Sequence, residues 1–161
     1  MLKSIQLFFN LLMTLKESIH QVLRIQLKFR IDEIQNILED LLLSGSRDAK
    51  SSAGDKHETG IAMAQLEQEK LRYQIYEFQK MEEIVQKINP SNMNSKINLG
   101  SLVQTNKGWF YISVGLGSLT FKEQVIFAIN PEAPFGKALI EKEKGDSIHF
   151  NGVKSNVLQV L

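Results

Sequence analysis

Two acidic residues, Asp55 and Glu58, lie three positions apart in the stretch SSAGDKHETG, residues 51–60. The stretch comes directly before a long helical pattern, so both carboxylates are expected in the first turn of a helix. Carboxylates one turn apart can point the same way, and their oxygen atoms are ligands that Mg²⁺ accepts. The pair is therefore a candidate site for assisting a divalent metal ion.

The same pair also fits a structural role. Asp55 followed by Glu58 resembles a capping box, in which the first side chain accepts a hydrogen bond from the backbone N–H of the second residue and the second reaches back. Such a cap stabilises a helix by about 1 kcal/mol. Each carboxylate has two oxygens, so the two roles are compatible and the sequence leaves both open.

Other stretches make weaker candidates. Gly115 and Gly117 resemble a phosphate-binding loop, but no helix follows them to bind the anion, and strand ends explain them better. His20, His57 and His149 are far apart in the sequence and lack metal-ligand spacing, so a surface position is favoured for each. No arrangement typical of a Ser/His/Asp or Cys/His nucleophile is recognisable.

Composition narrows the classes of protein that the chain can be. Its 161 residues suit one compact domain or two small units. The 19 basic and 18 acidic residues leave a net charge of +1, which gives no reason to expect nonspecific nucleic-acid binding. The chain has no cysteine, which excludes disulfides and thiolate zinc sites and is compatible with a reducing cytoplasm.

Residues 1–13 form an apolar segment interrupted by Gln6 and Asn10. The segment is too short to span a bilayer and lacks the small-residue cleavage site of a secretory signal. It is either an extra amphipathic turn packed on the body or an N-terminal extension before a start at Met13. We favour the extension, because the regular pattern begins just after Met13.

Two long helices with heptad-like apolar spacing are predicted. The first runs from about residue 14 to 43, and its apolar positions are Leu27, Ile31, Ile34, Leu38 and Leu41. The second runs from about residue 55 to 88, with Leu71, Ile75, Phe78, Val85 and Ile88, and with Met63 and Leu66 upstream. Each stripe is buried most simply against the other, so residues 14–89 predict an antiparallel coiled-coil hairpin with its tip near residues 44–58.

The chain changes character after Pro90. The runs INLGSLVQT, WFYISVGLG and LTFKEQVIFAI are rich in β-branched and aromatic residues and are bounded by turn residues, which predicts strands. PFGKALI, residues 134–140, predicts a short helix, and SIHF and NVLQVL predict closing strands. Residues 96–161 are therefore expected to form a small β-sheet domain with one short helix, and the whole chain to be α+β.

Four segments, taken in order, resemble the bacterial transcript cleavage factors of the GreA/GreB family over residues 14–161. GDKHE, residues 54–58, resembles the family's Gly-Asp-x-x-Glu element at the coiled-coil tip, and LEQEK, residues 66–70, lies where its second helix runs. LGSLV, residues 99–103, resembles the first strand motif of its FKBP-like domain. PFGKALI, with Gly145-Asp146, resembles its Ser-Pro-x-x-x-Ala-Leu-x-Gly…Gly-Asp signature.

The resemblance implies a transcription elongation factor of the cytoplasm, expected as a monomer, that binds RNA polymerase. In that family the FKBP-like domain docks on the outside of the polymerase, here through Pro134, Phe135 and Gly136. The coiled coil enters the secondary channel, and Asp55 and Glu58 would help to hold a Mg²⁺ ion of the polymerase. The polymerase then cleaves the 3′ end of backtracked RNA. The chain would have no cofactor of its own and would not itself be an enzyme.

Departures from the family pattern imply an alternative. After the glutamate the family usually continues Asn-Ala-Glu-Tyr, whereas this chain has Thr59-Gly60-Ile61-Ala62. Ala133 and Glu141 also replace a serine and a glycine of the later signature. A Gre-like regulator that occupies the channel without stimulating cleavage is therefore the second hypothesis.

Two other classes are disfavoured by the sequence. Prolyl isomerase activity occurs on some FKBP-like folds, but a fold does not confer a function. Anchoring to a membrane surface by residues 1–13 lacks support from a basic cluster.

Overall fold

The computed structural model describes residues 2–48 and 54–161 of the chain. Within these residues the protein is α+β, as predicted, with two long helices followed by a six-stranded mixed sheet and a short helix. The elements are α1 (Leu2–Asp48), α2 (Gly54–Lys87), β1 (Leu102–Thr105), β2 (Gly108–Ile112), β3 (Gly117–Phe121), β4 (Gln124–Ile129), α3 (Pro134–Leu139), β5 (Ser147–Phe150) and β6 (Val153–Val160).

The chain divides into two compact units. One consists of residues 26–82, which lie in α1, α2 and the connection between them. The other combines residues 1–25 with residues 83–161 and contains the sheet. The predicted extension at residues 1–13 forms the beginning of α1 from Leu2 onward, without a break before Thr14.

The apolar stripes of the unit at residues 26–82 follow the predicted heptad spacing in part. Leu27 and Ile31 of α1 and Leu71 and Ile75 of α2 are buried. The half-buried positions continue each stripe, at Ile34, Leu38 and Leu41 in α1 and at Phe78 in α2. Both helices therefore present one apolar face, the arrangement that a heptad repeat produces.

The upstream part of the α2 stripe was predicted wrongly. Met63 and Leu66 are 66% and 67% exposed. Steps of three and four residues backward from Leu71 lead instead to Gln68 and Ala64, which are half-buried. The position along the helical period outweighs side-chain hydrophobicity here, because Gln68 and Ala64 lie on the same face as Leu71.

Helix α1 is longer than the sequence predicts at its C-terminal end. It continues to Asp48 instead of stopping at the Ser44-Gly45-Ser46 cluster. The Ser44 hydroxyl donates to the carbonyl oxygen of Leu41 at 3.0 Å, and the Ser46 hydroxyl donates to that of Leu43 at 2.8 Å. These bonds satisfy the hydroxyls inside the helix, so the cluster does not form a turn.

The six strands form one sheet in the order β3-β4-β2-β1-β6-β5. Neighbouring strands are antiparallel, except that β2 and β4 are parallel. The run LTFKEQVIFAI, predicted as one strand, is the hairpin of β3 and β4. Its turn residues Lys122 and Glu123 have φ angles of 46° and 64°. Neither residue is a glycine or an asparagine, so the usual sequence signal of a two-residue turn is missing.

The short helix α3 covers one face of the sheet. Its Leu139 joins a buried cluster that includes Val103, Phe110, Ile112 and Val157. Phe135 packs at the edge of this cluster, with its ring centroid 4.9 Å from that of Phe110. Burial of this apolar surface holds α3 in place and with it the segment that resembles the family signature.

Replacing either of two helical glycines by alanine should change the free energy of unfolding, but with opposite signs. A Cβ atom at Gly60, inside α2, would meet no other atom within 4 Å. We expect Gly60→Ala to raise the free energy of unfolding by about 0.5–1 kcal/mol, because alanine loses less backbone entropy in a helix.

A Cβ atom at Gly136 would lie 2.1 Å from the carbonyl oxygen of Asn130. We expect Gly136→Ala to lower the same free energy by about 1–3 kcal/mol.

Urea unfolding followed by circular dichroism measures both changes. Equal m-values for the two variants and the wild type would show that the comparison is of stability alone. A loss of stability in Gly60→Ala would contradict the regular helical conformation at this position.

Candidate functional site

The predicted acidic pair lies in the first turn of α2. Gly54, the residue at which α2 begins, has a φ angle of +56°, a conformation that glycine adopts without strain. The side chain of Asp55 and residues 49–53 of the connection lie outside the described part of the protein. The pair is thus placed by the backbone of α2, with Glu58 one turn after Asp55.

The Glu58 side chain is exposed. It makes no hydrogen bond or ion pair with any residue whose side chain is described. Lys56 is exposed and His57 is half-buried in the same turn. The Glu58 carboxylate therefore has no described partner that would compete with a ligand from another molecule.

The described side chains include no group of three His, Cys, Asp or Glu residues that could hold a metal ion. Asp55, whose side chain is not described, is not among these residues.

The three predicted docking residues occupy the start of α3, but they differ in exposure. Pro134 is exposed at the first position of the helix, where its missing N–H costs nothing. Phe135 is half-buried, with its ring centroid 5.1 Å from that of Phe150. Gly136 is buried against the backbone of Asn130. Among the three, Pro134 presents its side chain to solvent, while the other two hold α3 on the sheet.

A buried polar group on α1 escaped the sequence analysis. Lys16 and His20 are 2% and 7% exposed, so the prediction of a surface position was wrong for His20. The Lys16 ammonium donates to the carbonyl oxygen of Asn92 at 2.5 Å. His20 Nδ1 and the hydroxyl of Tyr111 share a hydrogen bond of 2.8 Å. These contacts tie the first part of α1 to the segment after α2 and to β2.

A signal for this burial was present in the helical period. Lys16 and His20 share a face with the buried residues Ile19, Leu23 and Leu27, at intervals of three and four residues. Because Lys16 and His20 are polar, this buried face of α1 is not recognised when only apolar residues are counted. A neutral imidazole and the long aliphatic stem of a lysine can nevertheless be buried where a hydrogen-bond partner is available.

Burial changes the acid–base behaviour of all three groups. It lowers the pKa of the Lys16 ammonium from 10.5 to about 8. It also lowers the pKa of His20, which the positive charges of Arg24 and Lys16 lower further. It raises the pKa of the Tyr111 hydroxyl well above its usual range. At neutral pH the His20–Tyr111 bond is therefore one between two uncharged groups.

Comparison of the chain with protein-family models, curated proteins and solved structures finds no match. Among the described residues no helix is both long enough and apolar enough to cross a membrane.

The buried Lys16 predicts a specific dependence of stability on pH. Below pH 8 the ammonium is charged in both the folded and the unfolded chain, so its burial cost is present in full. Between about pH 8 and 10.5 the folded protein loses the proton first, so this group makes the free energy of unfolding rise with pH. We expect Lys16→Met to raise this free energy by about 1–2 kcal/mol at pH 7, because no charge is then buried. The gain should shrink as the pH rises toward 10.5.

Urea unfolding at a series of pH values measures this difference. Lys28→Met is the matched control, since Lys28 is an exposed lysine of the same helix. The rise in the free energy of unfolding that Lys16→Met produces, and its decrease between pH 8 and 10.5, should not occur in this control. A Lys16→Met variant that is less stable than the wild type at every pH would contradict a net cost of burying the charge.

Proposed function

We propose that the protein is a transcription elongation factor that binds RNA polymerase, inserts the coiled-coil tip near residues 44–58 into the secondary channel and stimulates cleavage of backtracked RNA. The proposal joins the resemblance to the GreA/GreB family with one observation. The exposed Glu58 carboxylate, without a partner among the described side chains, lies one helical turn from Asp55 at the start of a 34-residue helix.

An antiparallel coiled-coil hairpin is part of this proposal. The unit at residues 26–82 contains two helical segments and their connection. The buried apolar stripe of each helix would therefore pack against the other helix. Leu27 and Ile31 on α1 and Leu71 and Ile75 on α2 support that pairing. From Gly54 to Glu82 such a helix is about 42 Å long at 1.5 Å per residue. A two-helix rod of that length suits a narrow channel.

The acidic pair would act through its charge and its oxygen atoms. Mg²⁺ takes six oxygen ligands, so two carboxylates complete only part of its coordination and the polymerase and RNA would supply the rest. When bound there, the ion would activate a water molecule for attack on a phosphodiester. Asp55 would be the direct ligand and Glu58 would orient the water or the ion. An exposed carboxylate suits this task because no internal ion pair must first be broken.

The sheet and α3 would form an FKBP-like docking domain. The three predicted docking residues at the start of α3 would have different roles, because they differ in exposure. Exposed Pro134 would contact the polymerase, while Phe135 and Gly136 would keep the helix against the sheet. A rigid support of this kind reduces the entropy lost on binding.

A channel-occupying regulator without cleavage activity is the second candidate. The residues after Glu58 favour it, because Thr59, Gly60, Ile61 and Ala62 add no further acid or aromatic group to the tip. Ile61 is instead 42% exposed and apolar. In this function the acidic pair would serve only to begin α2.

Stalled, backtracked RNA polymerase with a labelled transcript and Mg²⁺ distinguishes the two candidates. We expect the wild-type protein to shorten the transcript and Asp55→Ala/Glu58→Ala to reduce the rate about 100-fold, the order of a lost transition-state contact. Asp55→Asn/Glu58→Gln should fail similarly, since the amides keep the shape of the side chains but lose their charge. Glu33→Ala/Glu69→Ala removes two exposed acids elsewhere on α1 and α2 and should cleave normally.

Polymerase binding is measured in the same samples. Cleavage by the wild type and by Glu33→Ala/Glu69→Ala, but not by the two variants of the acidic pair, with equal binding by all proteins, would support the first candidate. Equal binding without cleavage by any of them would favour the channel-occupying regulator. Absence of binding by the wild type would contradict both.

A further inference from the structure

A cavity of about 360 Å³ lies beside the first part of α1, within the unit that contains the sheet. Its lining consists of buried His20 and Ile88, half-buried Pro90, and exposed Glu17, Gln21, Arg24 and Gln86. The buried side chains therefore form its inner part and the exposed ones its opening. A small apolar floor with several convergent polar groups is the usual composition of a ligand pocket, and the volume is of the usual size.

Two cationic side chains and an uncharged imidazole lie along this side of α1. Lys16, His20 and Arg24 follow one another at intervals of four residues, so they share one face of the helix. None of the three makes an ion pair with a described side chain. The neighbouring acid, Glu17, instead accepts a hydrogen bond from the Ser91 hydroxyl at 2.8 Å. The lining of the cavity therefore carries one cation, Arg24, and one carboxylate, Glu17, which is held by this hydrogen bond.

The Arg24 guanidinium supplies hydrogen-bond donors to the opening of the cavity. Its side chain is exposed and makes no bond with the described residues. A guanidinium carries five N–H donors in a planar fork that matches a carboxylate or a phosphate.

His20 supplies a donor from the inner part. Its Nδ1 is occupied by the Tyr111 hydroxyl, and no described buried side-chain nitrogen or oxygen lacks a partner, so Nε2 is accessible in a residue that lines the cavity. In the tautomer in which the Tyr111 hydroxyl donates to Nδ1, the imidazole proton is on Nε2. The Nε2–H group is then available to donate to a ligand.

We propose that this cavity binds a small organic anion, a carboxylate or a phosphomonoester attached to an apolar or planar group. Arg24 and His20 Nε2 bind the charged end, and Ile88 and Pro90 contact the apolar body. The amides of Gln21 and Gln86 are positioned to complete the polar contacts at the opening. The site does not depend on the proposed role in transcription, since none of its residues belongs to the acidic pair.

The proposal links binding to the protonation of His20. The charged groups that face it are Lys16, Glu17 and Arg24 on α1, with the uncharged Tyr111 on β2 and Gln86, Ile88 and Pro90 from the end of α2. An anion beside the imidazole offsets the positive charges that disfavour its protonation. Binding should therefore raise the pKa of His20 and become tighter as the pH falls.

Imidazole NMR signals of the intact protein test this linkage. The pH titration of His20 is followed with benzoate, with phenyl phosphate and with uncharged benzamide, each at the same ionic strength. We expect the two anions to raise the midpoint of His20 by about 1 pH unit. Benzamide should leave it unchanged. His57 and His149 lie outside the cavity and serve as internal controls.

Substitutions locate the site and separate it from a general effect of salt. Arg24→Gln should weaken benzoate binding about tenfold or more, the order of a lost charge-assisted contact. Glu17→Gln should tighten it, because a nearby negative charge is removed. Arg30→Gln, at an exposed position of α1 outside the cavity, should bind as the wild type does.

Each outcome of these titrations decides the proposal. Preference for benzoate or for phenyl phosphate would identify a carboxylate or a phosphomonoester as the ligand class, and either supports the site. Equal shifts of the three histidines, or unchanged binding by Arg24→Gln, would overturn it.

Discussion

The buried hydrogen bond between His20 and Tyr111 constrains where the first part of α1 lies on the sheet-containing unit. It joins the first part of α1 to β2, where Tyr111 pairs with Leu102 of β1 and with Ala128 of β4. Burial of both partners keeps them uncharged at neutral pH, since each would lose hydration if it ionised. The same bond orients the imidazole, which lines the cavity. One neutral contact therefore helps to hold α1 on the sheet and orients a residue of the proposed binding site.

Lys16 shows what this arrangement costs. A cation with one carbonyl partner and no described carboxylate is an expensive group to bury, yet it lies one turn from His20 on the same face. Its charge disfavours protonation of His20. Lower stability and a local positive potential both result from the buried positive charge of Lys16. A protein that only needed a packed helix would be more stable with an apolar residue at this position.

The acidic pair at the start of α2 has the opposite character. Glu58 is exposed and unpaired among the described side chains, so its carboxylate oxygens are open to another molecule. Its possible function depends on what another molecule brings to it, which is why the proposed role is assistance to a polymerase and not catalysis by this chain alone. At the start of α3, too, one exposed side chain lies beside residues that are held by packing. Phe135 and Gly136 are constrained by packing, and the exposed Pro134 is the member left to contact a partner.

The sequence by itself determined the elements whose signals are local and periodic. The α+β class, the two long helices and the short helix beginning at Pro134 follow from heptad spacing, strand-forming runs and proline at a first helical turn. Where local signals misled, the cause was specific: Ser44 and Ser46 bond within α1 instead of ending it, and Lys122-Glu123 forms a turn without glycine or asparagine. Only the tertiary structure decided the burial of Lys16 and His20 and the cavity beside them. Their partners, Asn92 and Tyr111, are 76 and 91 residues away, and no periodic pattern in a chain records which distant residues meet.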